Sequence, residues 1–391
     1  MRRFIFVLCT MLICWLAAWQ VAAHWPQASA TTQLPESAPP DMDNLPIATR
    51  DRALTFARFL HDGEPRLLLV NSLREGRVSG IDLQQRLPGS ATDPIDLFNQ
   101  FGYQAFQEID GPLATVNVSD LILPFTGTDN QIAVGINYPA HGVEADVSES
   151  FLFPKRNTAT LFYASVPARN HLLDYEIELG FVLLDELPRS VEPDYVGLVL
   201  ASDYTDRAEL MRHARLTDVS SGEGFTQGKS APGFMPVGNL LVIPEDFRSF
   251  YRTLELGLWY NGQKRQEAHP VDMSWDFDRI LDETFAREKR RWQWRDEVVN
   301  LPVADGRIPA RTLILSGTPD GVVYRKPTPR QLFVGLSEMV FTGQWINLHA
   351  MIEPFLREEY QSGRYLKAGD VVQMKADQLG TISNTIVAHG G

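Results

Sequence analysis

From about residue 130 onward the chain is a succession of short apolar runs separated by turn residues: QIAVGIN, YEIELGFVLL, YVGLVLASD, GNLLVIP, LELGLWYNGQ, RTLILSGTPDG and DVVQMKADQLGTISNTIV. Runs this short, bounded by Gly, Pro, Asn and Asp, predict strands. Helical patterns are fewer, the best at about 141–148, 205–215, 276–290 and 345–360. Strands dominate and do not alternate regularly with helices, which favours a mainly-β α+β fold over a doubly wound one. Nearer the start, LTFARFLHDGEPRLLLVNSLREGRVSGIDL breaks its apolar runs at DG, EG and SG, the pattern of hairpins. Residues 46–125 read as a small N-terminal domain, and residues 126–391 as a larger one.

Two segments precede these. Residues 24–45 are rich in Pro, Ala, Ser and Thr and read as a flexible linker. Residues 1–23 begin with Arg2 and Arg3, continue as an apolar run from Phe4 to Ala18, and end in Val21-Ala22-Ala23. This is the layout of a signal peptide cleaved after Ala23, and it predicts export, to the periplasm or beyond. The alternative is an uncleaved membrane anchor, since the run is nearly long enough to span a bilayer. Only in that case does the membrane become a partner. The two cysteines, Cys9 and Cys14, both lie here, so a cleaved chain has neither disulfide nor thiolate metal site.

Composition narrows the function classes. The chain has 391 residues, 44% hydrophobic and 22% charged, enough for a sizeable core. Its formal net charge of −13, or −15 without Arg2 and Arg3, argues against nucleic acid as a partner. GxGxxG, GxSxG, HExxH and CxxC are absent, and SGEGFTQGKS fails as a phosphate loop because Glu223 stands where the first glycine is required.

Three segments carry candidate chemistry. On a strand, Glu176 and Glu178 of DYEIEL project from one face, because side chains alternate with period two. Their mutual repulsion is relieved by water on an exposed strand, the ordinary reading of an ExE pair, or by a hard divalent cation. Asp203 ends the apolar run YVGLVLASD, which suits either a ligand at a strand terminus or a turn or helix cap. In NYPAHGVEA, Pro139 suits the first turn of a helix, which places His141 and Glu144 at i and i+3 on one face. A carboxylate there can orient a histidine as a general base, or the two can be an exposed pair of little consequence.

The order of the pieces says more than any one of them. NYxxHxxE, DYExEL, a strand ending in DxTxR, GKS, an NG–RQ hairpin, SGTPDGV, AGDVV and LGTISN follow one another from about Ile132 to Ile386. This succession resembles the fumarylacetoacetate hydrolase family. The resemblance implies the mixed β-sandwich or roll of that family's C-terminal region and a homodimer. It implies Mg2+ or Mn2+, with Ca2+ admissible, held by Glu176, Glu178 and Asp203. It implies catalytic roles for His141, Glu144 and Lys229, and substrate binding by Gly317, Thr318 and Arg207. The implied activity is hydrolysis of a carbon–carbon bond in a 1,3-dicarbonyl or 2-oxo acid. A decarboxylase, isomerase or hydratase on the same site, and a non-catalytic module that binds a small acid, are the alternatives. The chain departs from the family pattern at Ala208, often aspartate, at Asn239, often proline, and in an insert at about 324–365 that contains Phe333, Phe341, Trp345 and Phe355.

Overall fold

The structure, a computed structural model, describes residues 2–24, 34, 38–87, 91–168, 172–343 and 348–388. Trp345 and most of the expected linker lie outside the described residues. The principal sheet is built from β1 (Ala53–His61), β2 (Glu64–Arg74), β3 (Arg77–Asp82), β4 (Leu113–Asn117), β5 (Gln131–Gly135) and β6 (Phe151–Lys155). A second, smaller sheet begins with the short β7 (Val166–Pro167). The principal sheet continues with β8 (Ile177–Leu183), β9 (Val196–Ser202) and β10 (Leu241–Pro244). Then come β11 (Leu256–Tyr260) and β12 (Gln263–Ala268) of the smaller sheet, β13 (Leu313–Leu315) of the larger, and β14 (Val371–Ala376) and β15 (Gly380–Val387).

The ten strands of the principal sheet run in the order β4-β3-β2-β1-β10-β9-β8-β13-β5-β6, and the smaller sheet in the order β12-β11-β14-β15-β7. Within the larger sheet only β13 and β5 pair in parallel. The mainly-β α+β expectation therefore holds. The reason is visible in the central strands: every residue of β8 and β9 is buried, so both faces of the sheet are covered. The N-terminal hairpins do not form a sheet of their own. β1 pairs with β10, Ala53 opposite Pro244, and extends the same sheet across the boundary expected near residue 125.

One long helix precedes the first strand, and the remaining helices are shorter and lie between strands. The helices comprise α1 (Arg2–Ala23), α2 (Pro94–Glu108), α3 (Pro139–Ala145), α4 (Arg207–His213), α5 (Phe225–Lys229), α6 (Phe247–Tyr251), α7 (Phe277–Ala286), α8 (Pro329–Phe341) and α9 (Glu353–Ser362). The spacing predicts one helix over 345–360. The structure starts that helix at Glu353 and adds α8, opened by a capping box between Thr328 and Gln331. Gly335, which interrupts the apolar pattern of α8, is required there: a Cβ would lie 1.9 Å from the Met351 carbonyl oxygen. Trp15 of α1 packs against Phe333 and Phe341 of α8, with ring centroids 4.6 and 6.1 Å away. No helix among the described residues is long and apolar enough to cross a membrane.

Candidate metal centre and its cavity

The pairing of β8 with β9 assembles the acidic cluster. Glu178 lies opposite Ala201 and Ile177 opposite Ser202. Continuing that register sets Asp203 opposite Glu176, and the Asp203 N–H donates to the Glu176 carbonyl at 3.0 Å. The period-two spacing of Glu176 and Glu178 does the rest. One carboxylate oxygen from each of Glu176, Glu178 and Asp203 falls within 4.8 Å of the other two, and all three side chains are buried. The solvated-strand reading of the ExE pair is therefore excluded by burial.

Buried carboxylates need partners. Lys229 Nζ donates to Glu176 Oε2 at 2.6 Å and to Asp203 Oδ2 at 2.8 Å. Arg207 Nη2 donates to Glu176 Oε1 at 2.6 Å, while its Nε donates to Asp174 Oδ2 at 2.8 Å. Burial raises the Glu176 carboxyl, but Lys229 and Arg207 outweigh it and hold the group at about 2. Glu178 is the contrast. Burial, reinforced by the charge of Asp203, pushes it well above the usual carboxylate range. The Gly317 N–H donates to its Oε2 at 2.8 Å.

The sequence reading missed Lys155. This fully buried lysine donates to Asp203 Oδ1 at 2.5 Å, to the Lys229 carbonyl at 2.5 Å and to the Phe234 carbonyl at 3.2 Å. Its only sequence signal is a charge closing the apolar run FLFPK, which alternation alone does not separate from a solvent-exposed strand end. Burial pushes its ammonium down. Lys229 stays above its usual range because Asp203 and Glu176 together outweigh the same burial.

Asp174, Asn137 and Gln266 were also unassigned. Asp174 Oδ1 accepts from the Tyr175 and Val323 N–H groups, and its Oδ2 accepts from Tyr324 N–H as well as Arg207. It thus ties the start of the insert, through Arg207, to the carboxylate cluster. Asn137 Nδ2 donates to the Trp275 and Ser316 carbonyls and its Oδ1 accepts from Trp275 N–H, which ties α3 to the segment of Gly317. Gln266 Oε1 accepts from Ile177 N–H while its Nε2 donates to Thr318 Oγ1 at 2.9 Å. Apart from the Tyr175–Asp174 bond, each of these links joins segments far apart in the chain.

The two single-residue departures acquire local explanations. Beside Ala208, Asp206 caps α4 by accepting from the N–H groups of Ala208 and Glu209, and Asp174 holds Arg207. Asn239 is fully buried and accepts from Thr381 N–H at 3.1 Å, a bond that ties it to β15.

His141 and Glu144 lie on α3, which starts at Pro139 as its sequence predicts. His141 Nδ1 and Glu144 Oε2 are 3.0 Å apart, and Glu144 Oε1 accepts from Gly321 N–H at 3.3 Å. His141, Glu176, Arg207, Lys229 and Thr318 line one cavity, together with Tyr324 from the insert. About 120 Å³ of the cavity is open to the centre of a water molecule. Gly317 is not part of its wall, and its N–H is already committed to Glu178. Arg207 reaches the wall with its guanidinium paired to two carboxylates and 5.4 Å from the Tyr324 ring centroid.

The donor set suits a hard divalent cation. All three groups offer carboxylate oxygens, and octahedral Mg2+ or Mn2+ needs ligand oxygens roughly 3–4 Å apart, close to the observed cluster. Glu178, raised by burial, is the group whose negative charge such a cation would most stabilise.

Known proteins resemble the chain over much of its length. The chain is 26% identical over 286 residues to the mitochondrial oxaloacetate tautomerase fahd2 of Xenopus laevis, covering 70% of each chain. It is 24% identical over 270 residues to a 2,4-didehydro-3-deoxy-L-rhamnonate hydrolase of a Sphingomonas species, covering 66% of this chain and 73% of the other. Among solved structures, a fumarylacetoacetate hydrolase from Exiguobacterium antarcticum superposes with a TM-score of 0.55 at 20% identity, over 86% of this chain and 100% of that one. A probable 2-hydroxyhepta-2,4-diene-1,7-dioate isomerase from Mycobacterium abscessus does so with a TM-score of 0.55 at 22% identity and the same coverage. These likenesses show a shared fold. The model of the fumarylacetoacetate (FAA) hydrolase C-terminal family matches residues 130–387, well over half of the chain, and the protein belongs to that family.

Proposed function

We propose that the protein is a divalent-metal-dependent hydrolase that cleaves a carbon–carbon bond in a 2,4-dioxo acid of the acylpyruvate type. The observation that carries this reading is that His141, paired with Glu144, lines the same cavity as Glu176, one of the three clustered carboxylates. Mg2+ or Mn2+ held by Glu176, Glu178 and Asp203 would supply Lewis acidity toward neighbouring oxygens of the substrate.

The chain's own groups divide the remaining work. Glu144, itself held by Gly321 N–H, fixes the His141 ring through Nδ1 and leaves Nε2 to take a proton from water. The water oxygen then bonds to the remote carbonyl carbon. The adjacent carbon–carbon bond breaks, and its electron pair leaves with the 2-oxo fragment as an enolate. The proton on His141 returns to that carbon, giving a carboxylic acid and a 2-oxo acid. Lys229 and Arg207 place fixed positive charge beside the cavity, where developing negative charge is stabilised. The Thr318 hydroxyl accepts from Gln266, so its own proton is free to donate to a substrate oxygen.

A second reading on the same residues is tautomerisation of a 2-oxo acid, favoured by the similarity to the Xenopus laevis tautomerase. There His141 would move a proton between carbon and oxygen without adding water. NMR analysis of Mn2+-loaded protein with acetylpyruvate and with oxaloacetate separates the two. Release of acetate and pyruvate supports hydrolysis. Faster keto–enol exchange of oxaloacetate with acetylpyruvate left intact overturns it in favour of tautomerisation.

A further inference from the structure

The lining of the cavity is mostly apolar. Among the described lining residues, charged or titratable side chains are confined to Glu176, Arg207, Lys229 and His141. Leu210, Met211, Ala214, Leu216, Val219 and Phe225 form a continuous share of the apolar wall along the chain from α4 to α5. This share follows from how α4 is placed. Its capping residue Asp206 sets the helix so that Leu210 and Met211 face inward. The polar residues of α4 and its neighbours are engaged elsewhere: Arg212 with Glu353, Glu209 with Gln227, and Arg215 with Glu223. Phe225 is held in the wall by edge-on packing against Phe151, 4.7 Å between ring centroids. Beyond Arg207, Lys229 and His141, the described lining offers no further cation, and only the hydroxyls of Thr318 and Tyr324 as side-chain donors.

We propose that the cavity selects a 2-oxo or 2,4-dioxo acid whose distal group is a hydrocarbon chain or ring, and rejects the corresponding dicarboxylic acid. The inference rests on the 2-oxo acid reading of the charged lining residues. A second carboxylate pushed against Leu210, Met211 and Phe225 would lose its hydration and meet no partner, a cost no contact in that wall offsets. A hydrocarbon tail there gains about 0.8 kcal/mol per buried methylene, or about fourfold in affinity.

The test is calorimetric titration of the full chain in Mn2+ with the straight-chain 2-oxo acids from 2-oxobutanoate to 2-oxooctanoate, beside 2-oxoglutarate and 2-oxoadipate. The expected result is affinity rising about fourfold per added methylene until the wall is filled. 2-Oxoadipate should bind at least tenfold more weakly than 2-oxoheptanoate. In Leu216→Arg, a half-buried site that tolerates a longer side chain, the dicarboxylic acids should gain on the hydrocarbon series. A flat chain-length series, or tighter binding of the dicarboxylic acids to the unaltered protein, overturns the proposal whatever the variant does. Hydrocarbon selectivity without cleavage of any acylpyruvate upholds the cavity assignment and overturns the hydrolase reading. Failure of every 2-oxo acid to bind overturns both.

Discussion

Lys155 Nζ lies 2.5 Å from Asp203 Oδ1 with both side chains essentially inaccessible to water, so one candidate metal ligand is held by a cation from a different strand. The same ammonium caps the carbonyls of Lys229 and Phe234, and thereby sets where Lys229 begins. Lys155→Met keeps the bulk and removes all three bonds. Breaking one side of a buried ion pair costs about 3–5 kcal/mol, and urea denaturation should show a loss of that size. Mn2+ should recover part of it, because the variant leaves the carboxylate cluster with less compensating positive charge.

Metal removal provides the second prediction. If Glu176, Glu178 and Asp203 bind one ion in the folded chain, Mn2+ at 100 times its Kd stabilises the protein by about 2.7 kcal/mol. Calorimetric unfolding with Mn2+ and with EDTA measures the difference. Asp203→Asn and Glu178→Gln should each abolish most of it. An unchanged melting temperature on adding Mn2+ to the unaltered chain would falsify the metal assignment.

His141→Ala should lower kcat on a cleaved acylpyruvate by ~100- to 10,000-fold, the usual contribution of a general base. Mn2+ affinity should stay close to that of the unaltered chain, since His141 is outside the carboxylate cluster. Glu144→Gln should lower kcat less, because the amide can still hydrogen-bond the ring but no longer favours its charged form. Steady-state kinetics paired with Mn2+ titration distinguishes lost chemistry from lost metal.

Gly317 has φ of +89°, and a Cβ there would lie 2.8 Å from Asn137 Cβ and 3.0 Å from the Val134 carbonyl oxygen. Gly317→Ala must therefore shift the backbone that donates to Glu178. The expected cost is about 1–3 kcal/mol from backbone strain, with weaker Mn2+ binding as its companion. Urea denaturation and Mn2+ titration on the same preparation read both. Full stability with unchanged Mn2+ affinity would show that this segment relaxes freely and that its bond to Glu178 is dispensable.

Local pattern made a large part of the molecule legible. Period-two alternation reveals that Glu176 and Glu178 share a face, because that property belongs to one strand. Pro139 marks the start of α3, so the i, i+3 relation of His141 and Glu144 is likewise internal to one element. The ordered motifs from Ile132 to Ile386 place the chain in its family. Lys155 and Gln266 were not legible in the same way. Lys155 ends a strand whose face toward Asp203 depends on packing against Phe234 and Lys229, and Gln266 depends on the approach of Ile177 and Thr318.

The chain's own order of residues thus determined the mainly-β character, the spacing of the two glutamates and the i, i+3 spacing of His141 and Glu144, since each rests on the backbone period of single elements. Only the tertiary structure decided that Asp203 stands beside Glu176, that Lys155 compensates it, and that α4 brings Leu210 and Met211 into the same cavity as Glu176 and Lys229. Those facts depend on which strands pair and which faces meet. Such contacts join residues distant along the chain, and burial, which no local period reports, fixes the charge each group can carry.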